Sequence, residues 1–335
     1  MGAEDEIIKS KACLLFIFTA KLAAPSRRWC PWEGINMKTG DKYGATEEDL
    51  TRIAELADVE LLAQDESESL DEMLLEGDLD FSIEIEKKLL NEMAHAAFAT
   101  TLDEDSFFAF WCENRERIRD AALMSGEVAE MLLLGFKLAI TNGSALSMNC
   151  LGALYYMGDI VEQDYEKAAE LYERAMDAGC YQSIINLGYI YEYGRIGKPD
   201  HDKAYRLYSL AAALAPSSEA LYKLGDMFSR GKAVPRDMRK AFALYKRSMQ
   251  LAEGDLEIAQ PAIRIANILI DPMSWDFGVD ADPLEALRLF QMAEIGLRKD
   301  IADGQYYYER RLQEAIEGQK KAREMVESGE GFVVN

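Results

Sequence analysis

Leu151-Gly152-Ala153-Leu154-Tyr155-Tyr156-Met157-Gly158, followed six residues later by Asp164-Tyr165-Glu166-Lys167-Ala168-Ala169-Glu170-Leu171-Tyr172, decides how this chain is read. It recurs as Leu187-Gly188-Tyr189-Ile190-Tyr191-Glu192-Tyr193-Gly194 with Asp200 to Tyr208 behind it. It recurs again as Leu224-Gly225-Asp226-Met227-Phe228-Ser229-Arg230-Gly231 with Asp237 to Tyr245 behind it. The period is roughly 36 to 37 residues, which is the spacing of a solenoid of supersecondary units.

Each unit reads as helix, tight loop, helix, short turn. Gly152, Gly188 and Gly225 stand inside the first helix, where glycine costs about 1 kcal/mol against alanine. That cost is tolerated if a neighbour packs close, and Ala168, Ala204 and Ala241 are the expected opposing small residues. Tyr155, Tyr191 and Phe228 fill the space beside the contact, as do Tyr172, Tyr208 and Tyr245. Gly158, Gly194 and Gly231 are expected to end the first helix in a left-handed conformation. Asp164, Asp200 and Asp237 are expected to cap the second. A Tyr- and Gly-rich stretch can suggest a cofactor cleft, but recurrence at fixed offsets makes it packing.

Composition bounds the partners. Among 335 residues the net charge is -23, which repels nucleic acid and anionic lipid and points to a basic partner if one is steered by charge. The five cysteines, Cys13, Cys30, Cys112, Cys150 and Cys180, have no metal-site spacing, and there are two histidines, His95 and His201. We therefore expect no metal, no cofactor and free thiols in a reducing cytoplasm. No apolar run reaches the ~18 residues of a membrane span.

Residues 1–36 differ from the rest. Ala12 to Ala20 is an apolar run, and Leu22-Ala23-Ala24 offers small residues, so a signal peptide over residues 1–24 is one reading. Against it, Glu4, Asp5 and Glu6 stand where positive charge is expected. Leu14 to Thr19 also suits a strand. A further reading is that the natural start is Met37: Glu33-Gly34 can be encoded as a ribosome-binding GAGG in a bacterial gene, a few codons upstream.

Residues 37–104 form an acidic helical region, with roughly five times as many acids as bases from residue 41 on. Thr46 to Asp49 is a capping box before the stripe Leu50, Ile53, Ala54, Ala57, Leu61 and Leu62. Asp65 to Asp71 is an acidic break, and Ile83 to Thr100 a second helix carrying His95 on its face. Residues 105–143 read as a degenerate repeat of two helices, with Phe107, Phe108, Phe110 and Trp111 as core and Phe136 at the place of Tyr172. Residues 144–297 hold about four repeats. The fourth aligns Ile265-Ala266 with Leu224-Gly225 and carries a longer loop with Trp275 and Phe277, aromatics expected to fold back on neighbouring helices. Residues 298–335 are a capping helix, Ala302 to Ser328, and a tail.

The pattern A-x-x-x-L-G-x-x-Y-x-x-G-x-x-V-x-x-D-x-x-K-A-x-x-x-Y-x-x-A resembles the Sel1-like repeat, a relative of the tetratricopeptide repeat. Leu151-Gly152, Tyr155, Gly158, Val161, Asp164, Lys167-Ala168, Tyr172, Ala175 and Gly179 carry the resemblance. The fourth unit departs from it at Ala266 and Glu285. The resemblance implies an all-α fold, a right-handed α-α superhelical solenoid, and a bacterial, non-catalytic adaptor or scaffold that binds proteins. Secreted members pair two cysteines per repeat; Cys180 stands at one such position but Met176 at the other, which argues against that subclass.

The first helices of such a solenoid line its concave surface. Positions two before and two after the Leu-Gly leucine then face the groove, namely Asn149, Ala153, Tyr189, Tyr222, Asp226 and Asn267, with Tyr156 and Glu192 a turn on. These are the candidate contacts for a protein or peptide partner. Two other readings stand beside this one. A secreted or periplasmic host-interaction protein follows if residues 1–24 are a signal peptide. An enzyme with its site in residues 37–105 lacks a nucleophile–base pair, a phosphate loop or metal spacing to support it.

Overall fold

The computed structural model describes residues 41–57, 78–274, 278–302 and 308–329. Residues 1–36, the acidic break, Trp275, Phe277, Cys13, Cys30 and the last six residues lie outside the described set. The described residues form fourteen α-helices. They are α1 Glu47–Leu56, α2 Asp78–Ala99, α3 Ser106–Glu113, α4 Arg115–Met124, α5 Gly126–Thr141, α6 Ala145–Met157 and α7 Tyr165–Asp177. They continue as α8 Tyr181–Tyr193, α9 His201–Leu214, α10 Ser218–Arg230, α11 Met238–Leu251, α12 Gly254–Leu269, α13 Pro283–Ala302 and α14 Glu309–Ser328.

From α6 onward the helices pack as consecutive pairs, α6 with α7, α8 with α9, α10 with α11 and α12 with α13, and each second helix also touches the next first helix. Local chemistry sets the boundaries. Asp164, Asp200 and Asp237 each accept the backbone N–H three residues on, at Lys167, Lys203 and Lys240, as N-caps do. Gly194 ends α8 at φ 62° with its N–H on Ile190 and Tyr191 carbonyls, a conformation that costs a residue with Cβ about 1 kcal/mol or more.

The glycine inside each of α6, α8 and α10 has a tyrosine ring as its nearest neighbour, with the expected alanine also close in the first of them, where the Ala168 carbonyl would lie 3.4 Å from a Cβ on Gly152. A Cβ on Gly188 would lie 2.4 Å from Cε1 of Tyr208, and one on Gly225 2.4 Å from Cε1 of Tyr245. The tyrosine ring lies flat on the glycine; the alanines Ala204 and Ala241 are buried nearby but do not demand it. The ring is the large element and the glycine its socket, so the motif pairs Gly with Tyr twenty residues on.

The degenerate unit at 105–143 is three helices. The segment expected as one helix breaks at Asn114, whose side-chain amide and backbone N–H both donate to the Phe110 carbonyl. The aromatic cluster is core, as expected: Phe107 and Trp111 are buried and stack edge-on against Phe136, with centroids 5.1 and 5.9 Å apart. The capping box forms at Thr46 and Asp49. The end of the array also shifts: α13 runs through Ala302, so the capping helix begins at Glu309 rather than at Ala302. It closes the apolar side of α13, where the Phe290 ring faces Gly318.

The acidic N-terminal segment docks at the second-helix side. Tyr43 donates to Glu170 at 2.8 Å, Asp41 pairs with Arg174, and Arg174 also lies over the Tyr43 ring; both partners belong to α7. Helix α1 is tied to α5 by Arg52–Glu130 and Lys137–Asp49. Among the described residues, the segment 41–57 makes its main contacts with α2, α5 and α7.

Candidate functional site: the row of first helices

Helices α6, α8, α10, α12 and α14 are joined along one side by side-chain bonds that cross from repeat to repeat. Ser183 and Asn186 of α8 donate to the Asn149 carbonyl oxygen of α6, at 3.2 and 2.9 Å. Tyr189 of α8 donates to Glu219 at 2.6 Å and lies 3.0 Å from the Tyr222 hydroxyl, both on α10. Asn267 of α12 donates to Glu314 of α14 at 2.8 Å.

Two buried ion pairs form the centre of this row. Lys223 Nζ of α10 sits 2.5 Å from Glu192 Oε2 of α8, with side chains 2% and 0% exposed. Tyr208 donates to the same oxygen at 2.9 Å. The Lys223 ammonium also lies 4.3, 5.0 and 5.3 Å from the ring centres of Tyr189, Tyr193 and Tyr208, so it is desolvated into a tyrosine cage that replaces part of its hydration. The other carboxylate oxygen of Glu192 accepts no hydrogen bond; Arg230 and Lys232 approach it at 3.7 and 3.8 Å.

One repeat on, Arg264 of α12 grips Asp226 of α10 through two nitrogens, at 2.6 and 2.7 Å, and covers the Tyr222 ring at 4.5 Å. Tyr245 donates to the same carboxylate at 2.8 Å. Burial alone would raise the Asp226 carboxyl, but the Arg264 guanidinium outweighs burial and holds it well below the usual carboxylate range. Burial pushes the Tyr189, Tyr208 and Tyr222 hydroxyls far above their ordinary value, with Glu219 or Glu192 adding to it, so they stay protonated donors.

The eight residues expected at the groove separate into two groups. Asn149, Ala153, Tyr156 and Tyr189 are half-buried, and Asn267 is exposed. Glu192, Tyr222 and Asp226 are buried, which corrects their expected open position: each lies in the seam between repeats, Glu192 and Asp226 paired from the next first helix and the Tyr222 hydroxyl beside that of Tyr189 on the preceding one. The partners of the acids were not anticipated. Lys223 and Arg264 both stand immediately before the Leu-Gly position, and each reaches back to an acid of the preceding repeat. The signal was present in the sequence, as a lone cation within the apolar runs Ala220 to Leu224 and Ala262 to Ala266.

What remains at the surface is aromatic and cationic. Tyr193 is 47% exposed. The Arg195 guanidinium lies 5.6, 5.3 and 5.7 Å from the rings of Tyr156, Tyr165 and Tyr193, and its Nε donates to the Tyr156 hydroxyl at 3.3 Å. Among the described residues there is no group of His, Cys, Asp and Glu placed to hold a metal, and no helix long and apolar enough to cross a membrane.

The family model of the Sel1 repeat matches residues 145–180, 182–216, 218–251 and 275–294. The match is partial in the fourth unit, where Ala266 and Glu285 depart from the pattern, and it does not extend to 105–143. No curated protein matches the chain. Among solved structures, a Sel1 repeat protein from Oxalobacter formigenes is 22% identical with a TM-score of 0.43, over 50% of this chain and 62% of that one. The protein c5321, described as a protective antigen present in uropathogenic Escherichia coli strains displaying an SLR fold, is 17% identical with a TM-score of 0.43, over 84% of this chain and 65% of that one. The chain thus spans less than two thirds of the length of either structure. Residues 145–251 and 275–294, where helix pairs repeat the Leu-Gly, loop-Gly, Asp-cap and Tyr positions, thus match the Sel1 repeat.

Proposed function

We propose that the chain is a non-catalytic scaffold that binds a protein or peptide along its row of first helices, between α6 and α10. The observation that carries this reading is the division of labour on that row. The inter-repeat seam is locked by buried pairs, Lys223 with Glu192 and Arg264 with Asp226, while Tyr156, Tyr193 and Arg195 stand at its surface. Tyrosine and arginine on a rigid support lose little entropy on binding and are the side chains that dominate interfaces. Solenoids offer extended surfaces of this kind because each repeat contacts only its neighbours.

The test is affinity capture with the tagged full chain and two variants in parallel, followed by measurement of the purified partner. Tyr156→Ala/Tyr193→Ala removes surface rings of the row; Leu210→Ala removes an exposed side chain on the second helix α9. A partner retained by the wild type and by Leu210→Ala, and lost by the tyrosine variant, supports the reading. Equal retention by all three refutes it. The same reading puts the scaffold in the cytoplasm, on the support of free Cys112, Cys150 and Cys180. Recovery of the native protein from a periplasmic or culture fraction would favour the host-interaction alternative.

A further inference from the structure

The charge of this chain is divided unevenly among repeats that share one skeleton. Residues 182–251 carry twelve Lys and Arg against six Asp and Glu, a local charge of +6, in a chain whose total is -23. The preceding repeat, residues 145–180, carries two bases and seven acids, a local charge of -5. Both segments keep the same Leu-Gly, loop-Gly, Asp and Tyr positions, so packing does not require the difference.

The structure sharpens the contrast, because it buries two of the six acids of residues 182–251, Glu192 and Asp226, inside the seam. Asp200 and Asp237 are engaged as helix caps, Glu219 is half-buried, and Asp202 is exposed. The cations face outward: Arg195, Lys198 and Arg236 are exposed and Lys232 is half-buried. These four stand on the loops that follow Gly194 and Gly231, at one edge of adjacent repeats. The two loops converge on one place. Arg195 lies against the Tyr193 ring that also faces Lys223, while Arg230 and Lys232 reach across to Glu192 beside it.

We infer that this loop edge, with Arg195 against Tyr193 and Lys232 at its centre and Lys198 and Arg236 on the same loops, docks an acidic peptide segment of a partner protein. The inference rests on the scaffold reading and names the chemistry of the partner, opposite in sign to what whole-chain charge suggests. A carboxylate-bearing peptide is favoured over nucleic acid because the rest of the chain, at -29, repels a long polyanion while a short segment feels chiefly the edge, within a Debye length of about 10 Å. Guanidinium groups also match carboxylates in bidentate geometry.

The experiment is fluorescence anisotropy of the full chain with three labelled probes: a Glu/Asp-rich peptide, the same peptide with Lys in place of its acids, and a single-stranded oligonucleotide. The acidic peptide is expected to bind best. Arg195→Glu/Lys232→Glu is expected to weaken it about tenfold in dilute salt, an effect that shrinks as salt rises. Lys320→Glu/Lys321→Glu on α14 is expected to leave it unchanged. If the first variant melts early, Lys198→Glu/Arg236→Glu on the same loops carries the test. Preference for the basic peptide, equal binding of the oligonucleotide, indifference to charge reversal, or a concentration-dependent dimer that the reversal abolishes each overturns the inference. If the captured partner is lost by Tyr156→Ala/Tyr193→Ala but kept by the charge reversal, the inference fails while the scaffold reading stands.

Discussion

Gly188→Ala is the substitution whose outcome the packing fixes most narrowly. In an isolated helix it would stabilise by about 1 kcal/mol. Here the new methyl would lie 2.4, 2.9 and 3.0 Å from three carbons of the Tyr208 ring, where contacts between carbons settle at roughly 3.5–4.0 Å. The ring would have to retreat by about 1 Å, and it has nowhere to go. Tyr208 is fully buried, and its hydroxyl is held by Glu192, which also anchors Lys223. Overpacking of a dense core costs about 1–3 kcal/mol, and giving up a hydrogen bond to a carboxylate about 1.5–3 kcal/mol more. After the helix-propensity gain of about 1 kcal/mol, the net expectation is a loss of about 1.5–5 kcal/mol. The assay is urea denaturation followed by far-UV circular dichroism. Gly126→Ala is the control, since nothing lies within 4 Å of its added methyl; it should change stability by no more than about 0.5–1 kcal/mol and in the stabilising direction. Gly188→Ala/Tyr208→Leu should be less unstable than the sum of its parts, because the smaller side chain vacates the clash. A Gly188→Ala protein as stable as the wild type, or more so, would refute the account of the motif.

Four further outcomes follow from the seam between repeats and its surroundings. Lys223→Met strands Glu192 in the interior and should cost about 3–5 kcal/mol by denaturation, whereas Glu192→Leu/Lys223→Met should recover most of it. The Asp226 carboxyl is held low by Arg264, so the pair's stabilisation is complete above the unfolded carboxylate value near ~4 and is lost as pH falls below it; the stability gap between wild type and Asp226→Asn should therefore be largest at neutral pH and shrink in acid. Asp200→Ala removes the acceptor for the Lys203 N–H and should cost about 1 kcal/mol in the same assay. Burial pushes the Cys150 thiol up to about 12, so site-resolved alkylation near pH ~8 should proceed more than about a hundredfold slower in the native protein than in urea.

Much of this fold is legible in the sequence because its determinants are local and repeated. The Asp caps and loop glycines need only a few neighbouring residues, and three copies at one period identify them without any long-range information. The Gly–Tyr contact was harder: the offset of twenty residues was visible, but alanine and tyrosine both recur with the glycine, and only the packing shows which one occupies it. The break at Asn114 falls where a side chain bonds back onto the carbonyl its own backbone N–H uses, a local feature that periodicity does not register. At the candidate site, the first-helix row was found from register alone. Register does not separate residues facing outward from those facing the next repeat, so by itself it puts Glu192, Tyr222 and Asp226 at the surface. Their burial depends on Lys223 and Arg264, contributed by a later repeat and set one position before the leucine that defined the register.

The most direct test of the central claim, that the first-helix row is a rigid binding surface, is isothermal titration of a purified captured partner against the wild-type chain and Tyr156→Ala/Tyr193→Ala. The account predicts that loss of these two rings weakens binding by about 2 kcal/mol or more, roughly thirtyfold, in a variant that still folds and melts cooperatively. Undiminished affinity in a folded variant would contradict it.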